Sequence, residues 1–149
     1  EGVDLTAARN AKPGPGVLEA LRSARTIIFC PSNPVVSIGP ILALPGVPEA
    51  LAESGTPVVA ISPIVGGAPL KGPADALLRG IGAEVSARGV ARLYRELVGG
   101  FVLDERDRRE VADVEALGLR ARAVDTIMRD TRTTMRLAEA VLELAAELR

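Results

Sequence analysis

A chain of 149 residues, 48% of them hydrophobic, is long enough for one compact domain with a sizeable core and too apolar to be a disordered segment. Its 18 basic and 19 acidic side chains leave a formal net charge of −1, so no broad basic face can neutralise a nucleic-acid backbone, and an aromatic content of 2% provides no stacking platform for single strands. Histidine is absent, which removes His-assisted nucleophiles, His-containing zinc sites and imidazole proton shuttles, and leaves carboxylates, backbone donors, Lys, Arg, hydroxyls or a hard metal for any chemistry.

The single cysteine, Cys30, rules out an intrachain disulfide and is expected at a strand end as a small buried hydrophobe. No apolar run reaches the length of a signal sequence or membrane span. The expectation is therefore a reduced, cytoplasmic setting and a small-molecule partner, with no nucleic acid and no membrane. The opening EGVDLTAARNAKPGPG carries no initiator Met, and the chain is expected to be a fragment of something longer, folded as a single α/β domain over 1–149.

In chain order, Val17 to Ala24 is expected to form a short helix, and Thr26 to Cys30 (TIIFC) a strand buried on both faces. Ile38 to Leu44 and Val47 to Glu53 are expected to be helical, with Pro48 in a first turn and Gly55 at the stop, followed by a second buried strand at Thr56 to Ser62. Strand, loop, helix, strand over this span is a βαβ unit with parallel strands and a right-handed crossover. Further helices are expected at Pro73 to Ile81 and at Arg88 to Val98, the latter burying Val90, Leu93, Leu97 and Val98. Strands at Phe101 to Glu105 and Arg120 to Thr126 flank a helix from Arg106 to Leu117. A last helix, Thr133 to Leu148, is expected to bury Met135, Leu137, Ala138, Val141, Leu142 and Ala145. The sum is an α/β protein with a Rossmann-like parallel sheet and flanking helices, an incomplete part of a larger domain.

Two polar loops follow the first two strands, at the sheet edge where open α/β folds bind ligands. In FCPSNPVVSIGP, Pro31, Pro34 and Pro40 fix φ and remove competing donors. That leaves the amides of Ser32, Asn33 and Gly39 and the Ser37 hydroxyl to converge on an anion, with Ser37 as cap of the helix near Ile38. The alternative is that Ser and Asn make only local turns in a stiff connection. In the second loop, SPIVGGAPLKGPAD, Gly66 and Gly67 allow close backbone approach, and Lys71 is one of two lysines in the chain. A solvated, solubilising lysine is the competing reading, and neither loop has the spacing of a Walker A sequence.

The blocks ARTIIFCPSNPVVSIGPILALPGVPEAL, VVAISPIVGGAPLKGPAD and VDTIMRD, in that order, resemble the C-terminal half of the 2-phospholactate transferases of coenzyme F-420 biosynthesis. The resemblance implies a Rossmann-like protein that transfers a phospholactyl or phosphoenolpyruvyl group from a guanosine diphosphate-linked donor to the ribityl hydroxyl of a deazaflavin, with magnesium, releasing GMP. It places Ser32, Asn33, Ser37 and Gly39 near the acceptor and transferred phosphate, and Gly66, Gly67, Lys71 and Gly72 along the diphosphate or guanosine side. The Gly-rich nucleotide loop and metal-binding acids of the family's N-terminal half do not occur in this sequence. Asp125 and Asp130 are candidate second-site acids, with capping of the following segment as the competing role. Other readings are a nonenzymatic nucleotide or sugar-nucleotide binding module, and a structural half that forms a homo-oligomer through its amphipathic last helix.

Overall fold

The computed structural model describes residues 3–149. In chain order its elements are α1 (Thr6–Asn10), α2 (Val17–Ser23), β1 (Ile27–Phe29), a π-helical turn (Pro34–Ile38) running into α3 (Gly39–Leu42), α4 (Val47–Glu53), β2 (Val58–Ile61), β3 (Ile64–Val65), β4 (Ala68–Pro69), α5 (Ala74–Gly80), α6 (Ala87–Tyr94), β5 (Gly100–Asp104), a 3-10 segment (Glu105–Glu110), α7 (Val111–Glu115), β6 (Arg120–Val124) and α8 (Thr131–Ala146).

Strands β1, β2, β5 and β6 form one sheet in that order, every pair parallel, while β3 and β4 make a separate two-stranded hairpin. Side chains alternate across a sheet, and the alternation divides the core in two. Ile27 and Phe29 of β1, Val58 and Ala60 of β2, and Phe101 and Leu103 of β5 point to one side, where they pack with Val47 and Leu51 of α4, Leu78 of α5, Val90 and Tyr94 of α6, and Val114 of α7. Phe29 and Tyr94 meet edge to face, with ring centroids 5.4 Å apart at 87°. Val59, Ile61 and Val102 point to the other side, under Leu137, Val141, Leu144 and Ala145 of α8.

The expected α/β class and parallel sheet are present, and β2 is the doubly buried strand that its unbroken apolar run predicts. β1 departs from expectation. Its inner residues are buried, but Ile28 is 37% exposed and Cys30 is exposed rather than buried, because β1 lies at the sheet edge and none of the described residues covers its second side. In α6 the helix ends at Tyr94, so Tyr94 takes the buried position while Leu93 faces outward. In α8, Leu137, Val141 and Ala145 are buried as expected, whereas Met135, Ala138 and Leu142 are exposed.

Asp130 and Thr133 form a reciprocal cap on α8: the Asp130 carboxylate accepts from the Thr133 amide at 2.7 Å, and the Thr133 hydroxyl accepts from the Asp130 amide at 3.1 Å. The bonds from the Thr133 amide and then its hydroxyl hold this carboxyl below the usual carboxylate range. A lowered folded-state value makes the contribution complete above the ordinary range and lost as pH falls through the folded value. Thermal melts of Asp130→Ala should therefore lie below the parent at neutral pH, with the gap closing as the solution is acidified through that window. A constant gap would show that the cap does not depend on ionisation.

Among the described residues no single helix is long and apolar enough to cross a membrane; Pro34–Leu42 and Val47–Glu53 pass that test only as a pair bent by 77°.

Candidate functional site

The carboxyl ends of the strands open into a cleft of 620 Å³, within the range of about 300–1,000 Å³ usual for small-ligand sites. Three stretches build its walls. Pro31, Ser32, Asn33, Val36 and Ser37 come from the loop after β1; Ser62, Pro63, Val65 and Pro69–Ala74 from the chain after β2; and Thr126, Ile127 and Met128 from the chain after β6.

The first loop is organised by Asn33. Its side-chain oxygen accepts from the amides of Val35 at 2.9 Å and Val36 at 3.2 Å, and Pro34 at the first helical position has no amide to satisfy. The cap is therefore Asn33, not Ser37, and the helix starts at Pro34, not near Ile38. Pro34 and Asn33 together decide the difference, since they supply the terminus with both a fixed φ and an acceptor. Ser37 sits inside the π-helical turn and lines the cleft. Two of the three amides expected to bind an anion are already engaged: Ser32 donates to the Cys30 carbonyl at 2.7 Å, and Gly39 donates to the Pro34 carbonyl. Gly39 does not line the cleft. A Cβ there would lie 2.9 Å from the Pro34 oxygen, so its place in the sequence follows from the close passage of the helix over the loop.

The second loop is also organised internally. Gly66 and Gly67, with φ of +62° and +78°, form the turn of the β3–β4 hairpin, in which Val65 faces Ala68 and Ile64 faces Pro69. Their amides donate to the two carboxylate oxygens of Asp107, at 2.8 Å and 3.0 Å, so neither glycine lines the cleft or offers it a donor. Lys71 and Gly72 do reach it, carried there by the descending arm of the hairpin. Among the described residues Lys71 has no acidic partner within ion-pair distance.

Of the eight residues singled out from the sequence, the structure brings Ser32, Asn33, Ser37, Lys71 and Gly72 to one cleft and leaves Gly39, Gly66 and Gly67 outside it. Asp125 and Asp130 are also outside. Asp125 accepts from the Ile127 amide and pairs with Arg129, and Asp130 caps α8. Their lowered carboxyl values follow from these local contacts, first the Arg129 hydrogen bond for Asp125 and first the Thr133 amide for Asp130.

Sequence reasoning missed three cleft residues, Thr126, Ile127 and Met128, although they stand in the VDTIMRD block and directly after a strand. Their position at a strand end was the available signal. It also missed the two carboxylates that hold the walls. Asp104, 2% exposed, accepts from the Thr126 amide at 3.0 Å and the Thr126 hydroxyl at 2.9 Å; Asp107, 1% exposed, holds the Gly66–Gly67 turn. Both lie at or just beyond the end of β5, beneath the two outer walls.

Among the described residues no Asp or Glu lines the cleft, and none form a group of three or more potential metal ligands. The nearby carboxylates of Asp104 and Asp107 already accept from backbone and hydroxyl donors. The described residues do not by themselves fit a magnesium site, which usually needs one or two free carboxylates beside phosphate and water oxygens.

The family model for 2-phospho-L-lactate transferase CofD matches residues 3–141. The chain belongs to the CofD family. A relative named phosphoenolpyruvate transferase, from Streptomyces griseus, is 54% identical over 143 residues, covering 95% of this chain and 45% of the relative. A second of the same name, from Kitasatospora aureofaciens, is 48% identical over 150 residues, covering 100% of this chain and 47% of the relative. One named 2-phospho-L-lactate transferase, from Methanosarcina barkeri, is 46% identical over 143 residues, covering 96% and 46% respectively. The chain thus spans about half the length of the curated relatives it matches.

Proposed function

We propose that this chain supplies one half of a transferase of coenzyme F-420 biosynthesis. The reaction moves a phospholactyl or phosphoenolpyruvyl group from a guanosine diphosphate-linked donor to the ribityl hydroxyl of a deazaflavin. Family membership motivates the reading, and the observation that carries it is the meeting of the two loops in one cleft at the carboxyl edge of a parallel sheet. In the transfer, the acceptor hydroxyl oxygen forms a new bond to the phosphorus that bears the lactyl or enolpyruvyl group. The bond from that phosphorus to the bridging oxygen breaks, GMP leaves with the bridging oxygen, and the hydroxyl proton is released.

Such a step asks mainly for positioning and charge stabilisation. In this cleft the Ser32 and Ser37 hydroxyls and the Asn33 amide nitrogen supply neutral donors to phosphate oxygens, and the Lys71 ammonium supplies positive charge. Val36, Leu70 and Met128, all exposed and all on the cleft, offer an apolar wall to a flat ring. Magnesium in this proposal draws its protein carboxylates from outside this chain, consistent with a cleft that has none. A cytoplasmic site of action belongs to the same proposal.

The lack of any acid on the cleft favours one other reading, a nucleotide-binding module without turnover. Calorimetric titration with GDP and with the deazaflavin, followed by assay with the remainder of a family-length protein supplied, separates the two. Binding of both with turnover on addition supports the transferase. GDP binding without turnover supports the module, and binding of neither ligand sinks both.

Ser37→Ala should weaken GDP binding by about 1 kcal/mol, the scale of one hydrogen bond, or roughly fivefold, with an unchanged melting temperature. Equal affinities for parent and variant would remove the Ser37 hydroxyl from the site.

A further inference from the structure

Donors and acceptors are distributed unevenly around the cleft. The Asn33 side-chain oxygen is taken by the amides of Val35 and Val36, so its NH2 group is what remains for a ligand. Lys71 can only donate. Ser62, 1% exposed, uses its hydroxyl locally: the oxygen accepts from the Ile64 amide and the proton goes to the Ile64 carbonyl, both at 3.1 Å. The side chains after β1 and β2 therefore offer chiefly donors and positive charge, which suit phosphate oxygens better than a hydroxyl that must part with its proton.

The wall after β6 has the opposite polarity. Thr126 lines the cleft and is 5% exposed. Its hydroxyl donates to one oxygen of Asp104 at 2.9 Å, and its amide donates to the same oxygen at 3.0 Å. The other Asp104 oxygen accepts from the Arg106 amide at 3.1 Å, with the Arg106 guanidinium 4.0 Å away, so the carboxylate cannot turn without losing a bond. With its proton committed in this way, the Thr126 hydroxyl oxygen has only lone pairs left to offer, and no described residue donates to it. Donation to a carboxylate polarises a hydroxyl into a better acceptor. The buried charge of Asp104 beside it disfavours a second anion and favours a neutral donor.

We infer that Thr126 receives the attacking hydroxyl of the acceptor, its oxygen accepting the hydrogen bond, and that Asp104 locks Thr126 in the accepting orientation. The inference rests on the transferase reading and names within it the group that aims the nucleophile. A transfer of this kind asks mainly for in-line placement of the incoming oxygen. A hydroxyl whose proton is held at the wall after β6 turns its lone pairs away from that wall, toward the walls that carry Ser37 and Lys71 and the proposed phosphate oxygens. Thr126 touches the substrate in this arrangement, whereas Asp104 acts through Thr126 and is a positioning residue.

The test is calorimetry on the parent, Thr126→Val and Thr126→Ser, each titrated with the deazaflavin, with the analogue that has a methyl group in place of its terminal CH2OH, and with GDP. The parent should bind the deazaflavin about fivefold more tightly than the analogue, the scale of one hydrogen bond. Thr126→Val, which keeps the shape of the side chain, should bind the two alike, with GDP affinity changed by less than about twofold. Thr126→Ser should restore the preference. Thr126→Ala takes the place of Thr126→Val if the latter does not fold. Equal binding of deazaflavin and analogue by the parent overturns the inference and leaves the transferase reading standing. So does a folded Thr126→Val or Thr126→Ala that keeps the preference, or a Thr126→Ser that lacks it, the last result assigning Thr126 to packing alone. Binding of neither deazaflavin nor GDP by the parent removes the transferase reading and this inference with it.

Discussion

Asp107→Ala is expected to lower the free energy of unfolding by about 3 kcal/mol, among the largest effects of any polar substitution in this chain. Asp107 is 1% exposed, and its two oxygens accept from the amides of Gly66 and Gly67. Truncation leaves two donors without a partner at a turn whose positive φ values already hold it in a narrow conformational range. Because the same hairpin carries Lys71 and Gly72 to the cleft, GDP affinity should fall on the order of tenfold in conditions where the variant is still folded. Asp107→Asn, which keeps one acceptor oxygen, should recover part of both losses. Urea unfolding and calorimetry on the three proteins provide the comparison. A variant as stable as the parent would mean that the turn holds itself, and normal affinity in a destabilised variant would mean that Lys71 does not depend on the hairpin.

Asp104→Ala should cost a similar amount, about 3 kcal/mol, by a separate route. Its carboxylate, 2% exposed, accepts from the Thr126 amide and hydroxyl and from the Arg106 amide at 3.1 Å. Removing it unpins the segment after β6, which brings Thr126, Ile127 and Met128 to the cleft. The expected signature is loss of Met128 from the apolar wall, so deazaflavin affinity should suffer more than GDP affinity. The reverse order of sensitivity would contradict the proposed placement of a flat acceptor ring against Met128. The two carboxylates contact different loops, so the double variant should approach the sum of the single losses, and a large departure would reveal coupling through the intervening Glu105–Arg106 backbone.

The features legible in the sequence were those set by composition and period. VVAI at Val58–Ile61 has no polar residue to turn outward, and it is buried on both faces as a central parallel strand should be. Ser32, Asn33, Ser37 and Lys71 were singled out because they follow strands and carry donors, Gly72 came with the family resemblance, and the cleft gathers all five. The misreadings share a cause, which is that sequence shows a capacity for contact but not the partner that uses it. Gly66 and Gly67 do have accessible amides in principle, yet a carboxylate 40 and 41 residues away takes them. Asp107 itself stands in ERDRRE, a charged run that reads as a solvated surface, and nothing local distinguishes its buried carboxylate from the exposed ones around it. Met135, Ala138 and Leu142 extend the apolar stripe of α8 beyond the width that one sheet surface can cover, so a stripe read as core proved only half occupied.

The three prolines and the doubly accepting Asn33 also bear on how the first loop meets a ligand. Pro31 and Pro34 fix two backbone torsions, and the bonds from Val35 and Val36 to one oxygen fix the start of the helical turn. A segment held this firmly by its own bonds surrenders little configurational entropy when a substrate arrives. Association through it should resemble insertion into a preset mould, with fast single-phase kinetics and no slow rearrangement after contact.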